Sequence, residues 1–134
     1  MTLHTGVSSL ETPEPPMAER FEVNASTAAI VNRARADGRR IVAVGTTSVR
    51  AIESAVRAAS IVPARGWTDL VLTPERRTVM VDGIVTGWHP PEASHLDLIQ
   101  AVAGAKAVSE AYRAADALGY RSHEFGDSCL LLRD

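Results

Sequence analysis

One cysteine, Cys129, is all that the 134-residue sequence offers to disulfide chemistry. No internal bridge can form, and without a metal-like partner pattern the thiol points to a reducing compartment. No apolar stretch approaches the roughly 20 residues that span a bilayer. The opening Met1-Thr2-Leu3-His4 has neither the charged nor the apolar region of a signal peptide. The expectation is a cytoplasmic protein with no membrane partner. A formal charge of −2 excludes a bulk basic field, so any RNA contact has to be local. With aromatics at only 4%, Trp67 and Trp88 are expected to supply core bulk more than stacking platforms. His4, His95 and His123 are scattered, with no HxH or HExxH spacing, and no metal is expected.

Apolar residues at 46% and charged residues at 22% are an ordinary globular composition. At this length the chain fits a single domain covering residues 1–134, able to bury roughly two thirds of its unfolded surface. Residues 3–8 read as a short strand, and Pro13, Pro15 and Pro16 make the following stretch a loop. Glu19-Arg20-Phe21-Glu22-Val23 alternates polar and apolar side chains, the pattern of a half-buried strand. Asn24 or Ser26 can cap the next helix, which carries Thr27, Ile30, Val31 and Ala34 and closes at Gly38. Ile41-Val42-Ala43-Val44 is too short for a helix and rich in β-branched residues, and reads as a central strand covered on both faces. Val49, Ile52, Val56 and Ala59 then follow one helical face.

Asp82-Gly83, between residues 78–81 and 84–88, is the dipeptide that a type I′ turn favours, because both central residues need positive φ; it predicts an antiparallel hairpin. Helices are expected over about 95–104, capped by Ser94, and 106–118, stopped by Gly119, with a buried strand over 128–132. Strands and helices interleave, so the fold class is α/β: a mixed sheet with flanking helices and one antiparallel hairpin.

The strongest local signal for chemistry is the strand ending at Gly45 and turning through Thr46, Thr47 and Ser48 into a helix. Ligands collect at the carboxyl ends of strands in α/β sheets, and a helix N-terminus offers unpaired N–H groups to an anion. One of the three hydroxyls can equally be the cap. The run has no P-loop lysine and no three-glycine fingerprint, which argues against ATP and NAD. Arg50 and Glu53, one turn apart, can pair with each other. His89, set between a strand and two prolines, is a candidate for acid–base work or for orienting a hydroxyl, and a loop histidine can also be neither. Asp127, in Phe125-Gly126-Asp127, can either build a turn or hold a ribose or an amine.

The run from Gly38 to Arg50, Gly-Arg-Arg-Ile-Val-Ala-Val-Gly-Thr-Thr-Ser-Val-Arg, with Glu53-Ser54-Ala55, closely resembles the G-R-R-(V/I)-(I/V)-A-V-G-T-T-S-V-R-x-(L/I)-E-S-A motif of the S-adenosylmethionine:tRNA ribosyltransferase-isomerases of queuosine biosynthesis. The likeness is colinear over essentially the whole chain. Leu3-His4-Thr5-Gly6-Val7, Glu19-Arg20-Phe21-Glu22-Val23, Gly66-Trp67-Thr68-Asp69-Leu70, Val81-Asp82-Gly83, Trp88-His89-Pro90-Pro91 and Phe125-Gly126-Asp127 each resemble a family segment in order. Departures are Pro74-Glu75-Arg76-Arg77, Gly87 in place of asparagine, Glu92-Ala93 before Ser94, and a shorter loop without the family's E-H-x-M-H-x-E histidines, of which only Glu19 remains.

The resemblance implies the C-terminal part of an α/β-barrel-like catalytic domain, lacking the family's N-terminal part and inserted β-domain. It implies S-adenosylmethionine as co-substrate, no metal, and tRNA carrying 7-aminomethyl-7-deazaguanine as the partner that is converted to epoxyqueuosine. A missing N-terminal half or self-association is a further implied partner. By the same resemblance Thr46, Thr47, Ser48, Arg50 and Glu53 would shape the cofactor pocket, with Glu53 orienting Arg50, while His89 and Asp127 would be catalytic members of the cleft. A non-catalytic or repurposed nucleoside-binding module of the same fold is the alternative.

Overall fold

A computed structural model describes residues 1–4, 16–89, 94–121 and 126–133. Three sheets and four helices make up the described fold. β1 (Thr2–His4), β2 (Glu19–Val23) and β6 (Ala64–Thr68) form an antiparallel sheet in the order β1-β2-β6. β3 (Val42–Val44), β7 (Gly83–Gly87) and β8 (Ser128–Leu132) form a mixed sheet in the order β3-β7-β8, parallel between β3 and β7 and antiparallel between β7 and β8. β4 (Val56–Arg57) and β5 (Ser60–Ile61) make a two-stranded ribbon. α1 (Ala25–Ala36), α2 (Thr46–Ser54), α3 (Ser94–Ala103) and α4 (Ala105–Leu118) complete the α/β fold, and the described residues close no barrel.

Local chemistry accounts for most element ends. The Asn24 side chain accepts from Thr27 N at 2.9 Å and so caps α1, and Gly38 leaves the helix with φ 69. Gly119, with φ 73, ends α4 in the left-handed region as expected. Of the apolar positions on α1, Ala28 is buried while Ile30 is 66% exposed, so only part of the anticipated stripe faces inward. The core is built from Val49, Ala51 and Ile52 of α2, Ile84 of β7, Ile99 and Val102 of α3 and Val108 of α4, with Val23, Met80 and Val81.

The Asp82-Gly83 hairpin is not formed. Residues 78–82 carry no strand, and β7 pairs with β3 and β8. Asp82 is occupied elsewhere: its carboxylate accepts two bonds from Arg35 Nη1 at 2.8 Å and one from Ile41 N at 2.9 Å. Gly83 suits a close approach, since a Cβ there would crowd the Leu132 side chain and lie 3.1 Å from the Leu131 carbonyl oxygen. The turn with two positive φ angles sits instead between β4 and β5, at Ala58 (φ 47) and Ala59 (φ 62). That is why the helical face predicted through Val56 and Ala59 stops at Ser54.

Burial works against ionisation of Asp82, yet the Ile41 N–H, Arg35 and the charge of Arg133 together hold its carboxyl below the ordinary range. A lowered folded-state value gives stability that is complete above the unfolded carboxylate value, about pH 4. This stability is lost as pH falls through the folded value. Acid titration of thermal stability is therefore expected to show a smaller loss below about pH 4 in Asp82→Asn than in the parent chain. Identical acid limbs would remove Asp82 from that role.

β3 is also not the central strand the sequence suggested. Among the described residues it pairs only with β7 and forms the sheet edge, with Val42 and Val44 exposed while Ala43 is buried. A continuous apolar run reads the same in sequence whether its second face is covered within the chain or left open.

Candidate functional site at the carboxyl end of the mixed sheet

The register of the mixed sheet decides where the candidate residues meet. Val44 lies opposite Val85 in the parallel pair, and Gly45 N donates to Val85 O at 2.9 Å. Gly87 lies opposite Ser128 in the antiparallel pair. Thr46, Thr47 and Ser48 after β3, Trp88 and His89 after β7, and Asp127 before β8 therefore share one end of the sheet, the carboxyl end of its parallel strands.

Gly45 occupies the N-cap position of α2 with φ 81, and no side chain caps the helix. None of the three hydroxyls is spent as the cap. Thr47 Oγ1 donates to Glu19 Oε1 at 3.0 Å, whereas the Thr46 and Ser48 hydroxyls make no side-chain hydrogen bond among the described residues. The first turn of the helix thus presents two hydroxyls and its own N–H groups at the strand end.

Arg50 points the other way, into the protein. Its side chain is 4% exposed and bonds Glu19 Oε2 at 2.6 Å; it also donates to the carbonyl oxygens of Leu70, Met17 and Thr68, each at 3.0 Å. Glu19 and Thr68 are cross-strand partners, so the guanidinium clamps the end of the β2–β6 ladder. Glu53 does not orient Arg50. Its carboxylate accepts from three successive backbone groups, Val79 N at 2.9 Å and Met80 N and Val81 N at 2.8 Å, and so shapes the strandless segment before β7. The helical spacing that suggested an Arg50–Glu53 pair was real, but each side chain found partners distant in sequence.

His89 is buried. Its ring Nε2 lies 3.0 Å from Thr86 Oγ1, its backbone N–H donates to Tyr112 Oη at 3.1 Å, and its ring stacks on His95 with centroids 4.6 Å apart. Burial pushes the Tyr112 phenol above its ordinary value. Asp127, just before β8, accepts from Arg121 N at 2.6 Å. The prolines after His89, and Phe125, lie outside the described residues.

Trp88 was the residue composition undervalued. Its ring meets Tyr112 edge-on at 5.0 Å and Tyr120 at 6.0 Å, and its indole Nε1 is buried with no hydrogen-bond partner among the described residues. A buried N–H without an acceptor is costly, about 1–3 kcal/mol. Trp67, assigned to core bulk with it, is 72% exposed on β6. Burial also pushes the Cys129 thiol up, leaving it a protonated and weak nucleophile. The described residues hold no cluster of His, Cys, Asp and Glu suited to a metal, and none of their helices is long and apolar enough to cross a membrane.

Comparison with known proteins bears directly on this geometry. The family model described as queuosine biosynthesis protein matches residues 1–131. An S-adenosylmethionine:tRNA ribosyltransferase-isomerase of Acidithiobacillus ferrooxidans is 43% identical across 98% of the chain, which spans 40% of that relative. Its counterpart in Anaeromyxobacter dehalogenans is 48% identical across 86% of the chain and 33% of its own length. The crystal structure of S-adenosylmethionine tRNA ribosyltransferase from Thermotoga maritima superposes with a TM-score of 0.77 at 40% identity, covering 85% of the chain and 40% of that protein. The chain thus spans about 40% of the length of such relatives or less.

Proposed function

The chain belongs to the queuosine biosynthesis protein family, and from that premise we propose that it forms the C-terminal part of a catalytic domain that transfers and isomerises the ribosyl group of S-adenosylmethionine onto 7-aminomethyl-7-deazaguanine in tRNA. The observation that carries this reading is the convergence of Thr46, Thr47, Ser48, Trp88, His89 and Asp127 at one strand end, within a chain matched to the family over residues 1–131.

The chemistry asks for polar groups that fix ribose hydroxyls, a group near the C5′ proton beside the sulfonium, and dipoles that steady charge as adenine and methionine leave. The Thr46 and Ser48 hydroxyls and the first turn of α2 fit the positioning of a ribose or a polar substituent. His89, seated between Thr86 and His95, fits proton handling or hydroxyl orientation, and the Asp127 carboxylate fits a ribose or an amine. The Trp88 indole N–H has no acceptor among the described residues. Arg50 and Glu53 serve the pocket by positioning: one fixes α2 against β2 and β6, the other sets the segment leading into β7. The substrate amine can itself take up the C5′ proton, and passes it on to solvent before its lone pair attacks the ribosyl carbon.

Adenine release tests the reading. Purified chain is mixed with S-adenosylmethionine and tRNA bearing the precursor base, alone and together with the remaining portion of a relative such as the Acidithiobacillus ferrooxidans enzyme. Release that depends on precursor tRNA and on both portions supports a split catalytic domain. S-adenosylmethionine binding without release under either condition assigns the chain to the alternative, a non-catalytic or repurposed binding module. Neither binding nor release contradicts both.

A further inference from the structure

Four arginines collect at the opposite end of the mixed sheet. Arg35, Arg39, Arg40 and Arg133 line a cleft of about 220 Å3 together with Gly38 and Asp82. The floor is fixed in place. Arg35 is held by both oxygens of Asp82, and Arg133 donates to the carbonyl oxygens of Thr78, Val81 and Val102 and to the Thr78 hydroxyl. The rim is open: the Arg39 side chain is 74% exposed and reaches Asp37 only at 3.5 Å, while exposed Arg40 forms no ion pair or side-chain hydrogen bond among the described residues. In a chain of net charge −2, this places local positive charge where the overall composition gives no hint of it.

From this geometry we propose that the cleft binds backbone phosphates of RNA. Fixed guanidiniums on a floor with exposed ones on a rim suit successive phosphodiesters, because each phosphate can accept paired N–H donors and the open rim lets the strand continue. A cleft open along its rim does not enclose a small phosphate. Arg40 and Gly45 lie five residues apart along β3, roughly 17 Å at strand rise. A polynucleotide can span that distance, so that phosphates rest on the arginines while a base reaches the opposite strand end. The choice of RNA over other polyanions rests on the tRNA reading given above; the charge and the fixed floor do not.

The test is fluorescence anisotropy of a labelled RNA stem-loop with the full chain between 50 and 200 mM salt, without S-adenosylmethionine. The double variant R39E/R40E is expected to weaken binding about 10-fold or more at the low-salt end and to lower the slope of log K against log salt by roughly 1.4–1.8, for two lost phosphate contacts. R39K/R40K is expected to retain most of the slope. Both sites are exposed, so thermal unfolding should stay at the parent value. An unchanged slope overturns the proposal, as does an equal loss in R65E, a charge change on another sheet. Competition by polyglutamate as strong as by unlabelled RNA, or binding of pyrophosphate that RNA does not displace, overturns it as well. S-adenosylmethionine binding by R39E/R40E, measured in parallel, separates failure of this cleft from failure of the ribosyl-transfer reading.

Discussion

Arg50→Met is expected to destabilise the chain by about 3–5 kcal/mol, because it leaves the largely buried Glu19 carboxylate without its charged partner. That is a large share of the roughly 5–15 kcal/mol that holds a domain folded. The loss reaches further than one ion pair. The guanidinium satisfies the carbonyls of Leu70, Met17 and Thr68 as well as Glu19, and so ties α2, β2 and β6 to one another. Arg50→Lys keeps the charge but not the planar fork, and is expected to recover only part of the loss. The double variant Arg50→Met with Glu19→Met removes both charges and is expected to be more stable than Arg50→Met alone. Urea unfolding followed by circular dichroism orders the variants. A single variant within about 1 kcal/mol of the parent, the range of an exposed pair, would place Arg50 outside the structural role its contacts give it and free it for ligand.

Glu53→Ala is expected to cost about 3 kcal/mol, since three backbone donors lose one charged acceptor. For a chain of this size that corresponds to a fall in melting temperature of roughly 10 °C. The damage should be local before it is global. Val79, Met80 and Val81 donate directly to the carboxylate, so their amide protons are expected to exchange faster in the variant while those of α4 keep their protection. Met80 and Val81 are core residues immediately before β7. Disorder there loosens the strand that delivers Trp88 and His89. Uniformly raised exchange across the chain, or none, would contradict this account of Glu53.

The residues that announced their own structure did so through short-range chemistry. Asn24 caps α1 from three residues away, and Gly38 and Gly119 leave helices through positive φ. The failures share a different cause. Asp82-Gly83 carries turn chemistry, but the Asp82 carboxylate is taken by Arg35 and the Ile41 N–H, and Gly83 suits the close approach of Leu132. Arg50 sits one turn from Glu53, yet its partner Glu19 is 31 residues away, and a buried carboxylate outcompetes an exposed helical pair. Long-range contact decided each case.

The site follows the same division. Gly45 to Ser48 was legible because a strand-to-helix turn with three hydroxyls is a local pattern. That Thr46, Thr47 and Ser48 share an end of the sheet with His89 and Asp127 depends on sheet register, which no single segment encodes. Trp88 lay one position from His89 and still read as bulk. Its indole N–H is buried without an acceptor among the described residues, a property of the assembled fold.

The proposed function seats S-adenosylmethionine at the carboxyl end of β3 and β7. Two-dimensional nitrogen–proton NMR of the labelled chain, titrated with S-adenosylmethionine, tests it with a control inside the molecule, because the chain has two indole N–H signals. Trp88 lies at the site and Trp67 is exposed on the other sheet. Saturable shifts of the Trp88 indole and of the Gly45, Thr46, Thr47 and Ser48 amides are expected, with the Trp67 indole stationary. Shifts at Trp67, or a titration that leaves Trp88 and the Gly45–Ser48 turn unmoved, would contradict that seating.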